Sequence, residues 1–106
     1  MNDAITVMTT LDKSEDADRL ARLLVKERLA ACIQTLGPIS STYRWQDRVE
    51  TAQEWLLLIK TRADRWEELE RVIRQHHPYD TPEILALPVS AGSPPYMQWI
   101  DEETAG

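Results

Sequence analysis

Two adjacent histidines are the side chains in this 106-residue chain best suited to holding a metal ion. His76 and His77 are the only imidazoles, and imidazole nitrogen suits copper, zinc and nickel. Neighbouring residues on a regular helix point about 100° apart, so both rings reach one ion only where the helix frays ahead of Pro78. In the competing interpretation, the His77 ring hydrogen-bonds a neighbouring backbone group at the helix end. The pair therefore predicts either an accessible metal site or a structural helix end.

The single cysteine, Cys32, is the third candidate metal ligand. Its thiolate is a soft ligand that Cu(I) and zinc favour, but it lies in the apolar segment 29–33, and free cysteines are among the most buried side chains. We therefore expect Cys32 to be buried in a packing role. A closed zinc site needs four protein ligands, so one thiol and two imidazoles would require carboxylates or another subunit. Folding is accordingly predicted not to require a metal.

Glu54 and Lys60 are two charges predicted to lie on one face of a strand. Their even separation places them on the same side as Leu56 and Leu58. Charges beside such apolar neighbours are usually paired, so we expect ion pairs within or across subunits. The alternative is an anion or carboxylate pocket that uses Lys60.

Aromatic side chains form a further candidate set. Tyr43, Trp45, Tyr79, Tyr96 and Trp99 could line a cleft between subunits. Aromatics at strand and helix spacing are also typical of core or interface packing. Both interpretations stay open from the sequence.

The sequence contains no arrangement of residues typical of an enzyme. With three glycines there is no Gly-rich phosphate loop, and neither CxxC, HExxH nor a Ser/His/Asp or Cys/His nucleophile grouping can be identified. The formal net charge is −6, from 12 basic and 18 acidic residues, and no basic cluster would neutralise phosphates. The sequence therefore predicts neither catalysis nor nucleic-acid binding.

Apolar periodicity and turn residues predict the elements that position these side chains. Helices are predicted over 15–28 and 64–77, and strands over 4–10, 31–45, 49–59 and 84–89. Ser93 and Pro94 predict a short C-terminal helix capped by Ser93, and Asp64 and Glu67 have the offset of a capping-box variant. The order predicts an α+β, ferredoxin-like βαββαβ sandwich, with two helices on one face of a four-stranded antiparallel sheet.

Two of the strands form a hairpin that is longer than one sheet requires. Its second arm, 49–59, would extend about 37 Å at about 3.4 Å per residue, roughly twice the common strand length. Gly37 and Pro38 interrupt the first arm in a way that suits a bulge. Part of the long β-hairpin should therefore overhang its own domain and expose unpaired backbone groups to another copy. We expect a single domain, residues 1–106, in an oligomer.

The cellular compartment is predicted from the number of cysteines, the first ten residues and the apolar run near the middle of the chain. A single cysteine forms no intrachain disulfide, and the first ten residues lack the charged and apolar regions of a signal peptide. The apolar run 55–59 is far shorter than the roughly 20 residues of a bilayer span. The sequence predicts a cytoplasmic protein without a membrane span.

Five short motifs occur in order along the chain: ERLAAC (27–32), YRW (43–45), Glu54 with LIKT (58–61), HPYDTPE (77–83) and YMQW (96–99). Together they resemble one known family, the CutA divalent-cation-tolerance family. The resemblance covers roughly residues 5 to 100. Two positions depart from it: Asp47 stands where many relatives carry glycine, and Thr9 stands near where some relatives place a metal-associated cysteine.

The resemblance implies properties that the residues alone do not. It implies a homotrimer of ferredoxin-like subunits, similar in architecture to the PII signalling proteins, with long hairpins exchanged around the three-fold axis. It implies tolerance of copper or another divalent cation, metal binding and no catalytic activity, or alternatively a PII-like sensor or assembly module that binds at the clefts between subunits. The predicted metal ligands are His77, His76 and Cys32. The predicted cleft or interface residues are Tyr43, Trp45, Glu54, Lys60, Tyr79, Glu83, Tyr96 and Trp99.

Overall fold

The structure, a computed structural model, describes residues 3–105, so residues 1, 2 and 106 of the predicted domain lie outside the described residues. Its elements are β1 (Ala4–Leu11), α1 (Ser14–Lys26), β2 (Cys32–Trp45), β3 (Arg48–Arg62), α2 (Trp66–His76), β4 (Leu85–Pro88) and α3 (Pro94–Thr104). The strands form one antiparallel sheet in the order β2-β3-β1-β4. This confirms the predicted α+β, βαββαβ arrangement with a final helix.

The main core lies between one face of the sheet and the inner sides of α1 and α2, and we call this side of the sheet the helix face. Side chains alternate across a strand, so the odd-numbered residues of β1 and β3 point to it. Its large buried side chains, each at most 3 % exposed, are Val7, Leu11, Leu20, Leu24, Leu29, Leu57, Ile59, Leu69 and Ile73. Burial of these residues holds the subunit together.

The β2–β3 hairpin extends past the rest of the sheet, as predicted. β1 ends where Leu11 pairs with Trp55, and within residues 3–105 the segment 39–54 pairs only with itself. The molecule is correspondingly elongated, at 45 × 25 × 22 Å. Gln46 and Asp47 form the tip with φ values of 50° and 63°, the left-handed pair that a two-residue hairpin turn requires. We call residues 39–54 the overhang.

A bulge begins the overhang. The register shifts between Leu36 and Ile39, and the Gly37–Pro38 peptide is cis. A Cβ atom at Gly37 would collide with the indole of Trp55, so this close approach requires glycine.

The two side-chain caps predicted from the sequence are wrong. α2 begins at Trp66 after a 3-10 turn, and neither this turn nor α2 has a side-chain cap hydrogen bond at its N-terminus. Asp64 instead faces Arg62, with its Oδ1 3.3 Å from Nε. Ser93 precedes α3, but its hydroxyl forms no capping bond. Packing of the buried faces of these helices, rather than capping, therefore stabilises them.

α3 lies on the sheet face opposite α1 and α2. Ile100 is buried there with Ala4 and Ala31, next to the partly buried Val89 and Met97. This small second cluster covers one end of the face. The rest of that face carries no helix in the part of the chain that the structure describes.

Three arginines fasten the last turn of α3. Arg65 Nε donates to the carbonyl of Thr104 at 2.9 Å, and Arg62 donates to the same oxygen at 3.2 Å. Arg28 donates to the carbonyl of Glu103 at 3.2 Å. Cations at a helix C-terminus satisfy its free carbonyls and match its dipole.

Candidate functional site

The sheet face opposite α1 and α2 carries exposed apolar side chains, and we call it the open face. Leu85, Leu87 and Leu36 are 55 %, 50 % and 44 % exposed. Between α3 and the overhang, its residues are Thr6, Met8, Gln34, Leu36, Leu56, Leu58, Lys60, Leu85 and Leu87. Contiguous exposed apolar surface marks an interaction site.

His77 is buried at the edge of β1, and both of its ring nitrogens are hydrogen-bonded. Nε2 donates to the carbonyl of Thr10 at 2.9 Å, and Nδ1 accepts the backbone N–H of Tyr79 at 3.1 Å. This pattern requires the neutral ring with its proton on Nε2. β4 pairs with β1 only over residues 5–8, so His77 supplies a donor beyond the end of that ladder. An ion bound at His77 would have to replace one of these two bonds.

The electrostatic setting of His77 favours its neutral form. Burial lowers its pKa below the ordinary 6.5, although the Thr10 carbonyl and the carboxylates of Glu54, Asp12 and Asp16 act in the opposite direction. The competing interpretation of His77, a backbone contact at the end of a helix, therefore describes its observed environment.

The three predicted metal ligands lie apart. His76, the last residue of α2, is exposed, whereas Cys32 begins β2 opposite Lys60. Cys32 pairs with Lys60, and Thr10, which contacts His77, pairs with Leu56. The two levels are therefore four residues apart on β3, which is about 13 Å along the strand. Among residues 3–105, no three His, Cys, Asp or Glu side chains converge in a way that would hold a metal ion. The structure therefore does not assemble a metal centre within the subunit, and ligation by these residues stays a prediction.

Cys32 is half-buried rather than fully buried, which corrects the expectation from its apolar flanks. It lies on the open face beside α3. The pKa of the Tyr96 hydroxyl is raised, first by burial and then by the electrostatic and hydrogen-bonding influence of Cys32. The Tyr96 ring stacks on Trp99 with centroids 5.6 Å apart.

Tyr79 joins His77 to a buried carboxylate on β3. The Tyr79 hydroxyl donates to Glu54 Oε2 at 2.8 Å, and the Tyr79 ring meets the His77 ring edge-on at 4.7 Å. Glu54 is only 7 % exposed. Burial and the Glu54 hydrogen bond raise the pKa of Tyr79 well above its ordinary value. The phenol therefore stays protonated and serves as a fixed donor to the carboxylate.

Glu54 and Lys60 share one face of β3, as predicted, but they form no ion pair within the described chain. Lys60 Nζ donates to the neutral amide oxygen of Gln34. No lysine, arginine or histidine of residues 3–105 lies within 4.0 Å of the Glu54 carboxylate. Pairing of these two charges within a subunit is therefore not observed, whereas pairing across subunits and the alternative, an anion or carboxylate pocket that uses Lys60, stay predictions.

Most of the predicted cleft residues are exposed in the subunit. Trp45, Tyr43, Tyr96 and Trp99 are 54 %, 44 %, 42 % and 39 % exposed, so core packing within one subunit does not account for them. Tyr43 and Trp45 pair with Glu50 and Arg48, which places them on the open side of the overhang. Glu83, in the segment before β4, is also exposed. Their exposure, like that of the leucines on the open face, fits a surface that another chain covers.

Sequence reasoning missed two features of this region. It did not identify the contact of His77 with Thr10, which lies 67 residues away in the chain, or the Tyr79–Glu54 hydrogen bond. No local signal points to either contact; the two-residue spacing of His77 and Tyr79 could have indicated only a third one, in which the His77 ring accepts the Tyr79 N–H.

The chain is similar to proteins of one family over almost its whole length. A family profile described as CutA1 divalent ion tolerance protein matches residues 5–103. The divalent-cation tolerance protein CutA of Thermus thermophilus is 42% identical over 98 residues, which are 92% of this chain and 95% of that protein. The crystal structure of CutA from Xylella fastidiosa superposes with a TM-score of 0.94 at 42% identity, covering 96% of this chain and 98% of that chain.

A plant relative is longer. The chloroplastic protein CutA of Arabidopsis thaliana is 39% identical over 101 residues, which are 95% of this chain and 56% of that protein. The chain thus spans little more than half of that relative. No helix among residues 3–105 has the length and apolar character needed to cross a bilayer.

Proposed function

The chain belongs to the CutA1 divalent ion tolerance family, and on that premise we propose that it acts in divalent-cation tolerance as a homotrimer. The proposed assembly is supported by the apolar surface of the open face. It leaves Leu36, Leu85 and Leu87 exposed beside the aromatic residues Tyr43 and Trp45. Full burial of each large apolar side chain contributes about 1.5–3 kcal/mol, so several together favour association.

The overhang supports the same proposal. Segment 39–54 has only its own two arms for backbone pairing within the described residues. Such an isolated two-stranded ribbon is marginally stable in water, so contact with a second chain would stabilise it. A cyclic arrangement satisfies every copy equally and leaves no free edge.

For the cation, we propose copper or another divalent metal at the C-terminal end of α2. His76 is exposed there, while His77 would join only by exchanging its bond to the Tyr79 N–H for the metal. Oxygen ligands or a second subunit would complete the site, and Cys32 is too distant to join these histidines within one subunit. Affinity should fall as pH drops below about 6.5, because a protonated imidazole does not bind a metal and burial lowers the pKa of His77 from that ordinary value.

Two measurements test the function. Light scattering of the purified protein at micromolar concentration should give three times the subunit mass of 12.2 kDa, and a monomer or dimer mass would defeat the trimer. Calorimetric titration of metal-free protein with Cu(II) and Zn(II) should show binding that the His76→Ala/His77→Ala double variant loses. Cys32→Ser should keep most of this binding.

The outcomes separate the functional classes. Loss of binding in Cys32→Ser but not in the histidine double variant would move the metal site to the open face. Absence of binding by the unmodified trimer would favour the sensor or assembly interpretation. We propose no catalytic step, and the cytoplasmic location stays a prediction because one relative is named as chloroplastic.

A further inference from the structure

We propose that Glu54 of each subunit forms an ion pair with Lys60 of the neighbouring subunit in the assembled protein. This inference rests on the proposed homotrimer and adds the contact that sets how the copies are oriented. It starts from two charges on the open face that find no ionic partner in their own described chain.

Glu54 is the more unusual of the two charges. At 7 % exposure it is nearly removed from water, and its one hydrogen-bond donor among the described contacts is the neutral Tyr79 hydroxyl. Acidic side chains are almost never fully buried unless they are paired, because a desolvated carboxylate needs a counter-charge. Residues 3–105 surround this carboxylate but place no cationic side chain within 4.0 Å of it.

Lys60 presents the complementary group. Lys60 is half-buried as a residue on the same face, and its ammonium donates to the neutral Gln34 side chain, which orients it without neutralising it. Lysine carries three donors, so the contact with Gln34 leaves others for a carboxylate. Arg62, the next cation along this face, is already committed to α3 and Asp64.

The two charges cannot meet within one subunit. They stand six residues apart on the extended strand β3, which is about 20 Å, with Leu56 and Leu58 between them. A second chain that covers these leucines would desolvate both charged ends of the strip. Because each copy carries one Glu54 and one Lys60, head-to-tail contact around a closed ring pairs each of these two charges once.

A double-mutant cycle provides the test. Glu54→Gln keeps an oxygen that accepts from Tyr79, and Lys60→Met keeps the length and apolar stem, so each removes charge with little change in shape. Each single variant should weaken the trimer about tenfold or more, as loss of one partner of a desolvated pair does. The double variant should be about as weak as either single variant rather than the product of both effects.

The distance within the subunit makes this coupling decisive. Effects of substitutions more than about 10 Å apart normally add, so coupling between sites about 20 Å apart in one chain reports a contact between chains. The matched control is the exposed helix pair Glu70 and Arg74, where Glu70→Gln and Arg74→Met should leave trimer dissociation unchanged.

A charge exchange checks the direction of the pairing. Glu54→Lys or Lys60→Glu alone should abolish the trimer, and Glu54→Lys combined with Lys60→Glu should restore it. If Glu54→Lys prevents folding, the milder cycle decides the question. Additive effects in a protein that is trimeric would overturn the ion pair alone, whereas a monomeric unmodified protein would overturn the trimer as well.

Discussion

The helix face and the open face belong to the same four strands, yet they differ in almost every physical property. Leu57 on the helix face is fully buried, and its neighbour Leu58 on the open face is only partly covered. The buried side chains that β1 and β3 turn to the helix face are apolar apart from Thr9 and Thr61, whereas the open face carries Glu54 and Lys60. The difference shows that one side of the sheet is packed within the subunit, while the other leaves apolar side chains exposed that the proposed trimer would cover.

The sharpest test of this contrast uses the adjacent leucines. Leu57→Ala should lower the free energy of unfolding by about 2–5 kcal/mol, because it leaves a cavity in a packed core. Leu58→Ala should mainly weaken the trimer. Urea unfolding and light scattering on both variants separate the two effects, and equal loss of subunit stability in both would contradict the division into two faces.

The overhang allows the same comparison between two exposed residues. Trp45→Ala should weaken assembly by about 2 kcal/mol, because a large aromatic anchor on the open side would lose its contact with another chain. Val49, on the other side of the overhang and 69 % exposed, provides the control. Val49→Ala should leave the trimer dissociation midpoint unchanged, and an unchanged midpoint for Trp45→Ala would count against the interface.

Buried hydroxyls on the helix face offer a stabilising substitution. The Oγ1 atom of Thr9 is buried without a hydrogen-bond partner, so Thr9→Val should raise the free energy of unfolding by about 1 kcal/mol. Thr104 is the control, because its Oγ1 donates to the Ile100 carbonyl at 2.7 Å. Thr104→Val should destabilise by a similar amount. Thermal melting measures both, and destabilisation by Thr9→Val would show that its hydroxyl has a partner in solution.

The smallest expected effect is a pH dependence at the rim between the two faces. His77 has a lowered pKa in the fold, mainly through burial, so the unfolded chain takes up a proton at higher pH than the folded one. The free energy of unfolding should therefore decrease as pH falls below about 6.5, the ordinary histidine value. Urea unfolding across this window should show the decrease. In His77→Gln the same fall in pH should have a weaker effect.

The sequence predicts the local features of this structure well, namely its strands, its helices and the faces of its strands. Alternation in β3 identifies Glu54, Leu56, Leu58 and Lys60 as one face, and the structure confirms it because strand periodicity is a local property. The overlong hairpin is confirmed for the same reason. Local spacing also identified the strands and helices in their correct order.

Contacts between distant segments explain what could not be predicted. The periodicity of α2 includes His76 on its apolar face, but the chain leaves it exposed and buries His77 against Thr10 instead. Asp64 has the spacing of a cap, but Arg62 lies closer to it as an ionic partner. For His77 a neighbour 67 residues away decides the outcome, and the sequence pattern contains no information about that neighbour. For Asp64 the competing charge is only two residues away, but the three-residue spacing of a cap does not take it into account.

The fastening of α3 has a consequence for how the protein tolerates sequence change. Three arginine side chains donate hydrogen bonds to main-chain oxygens of the last turn, at Glu103 and Thr104: Arg28, Arg62 and Arg65. A carbonyl is present whichever amino acid occupies the position, so mutation of Glu103 leaves its part of the attachment intact. The attachment of the C-terminal helix therefore depends on the arginines of distant segments. Exposed positions of its last turn can change in sequence without loss of that attachment.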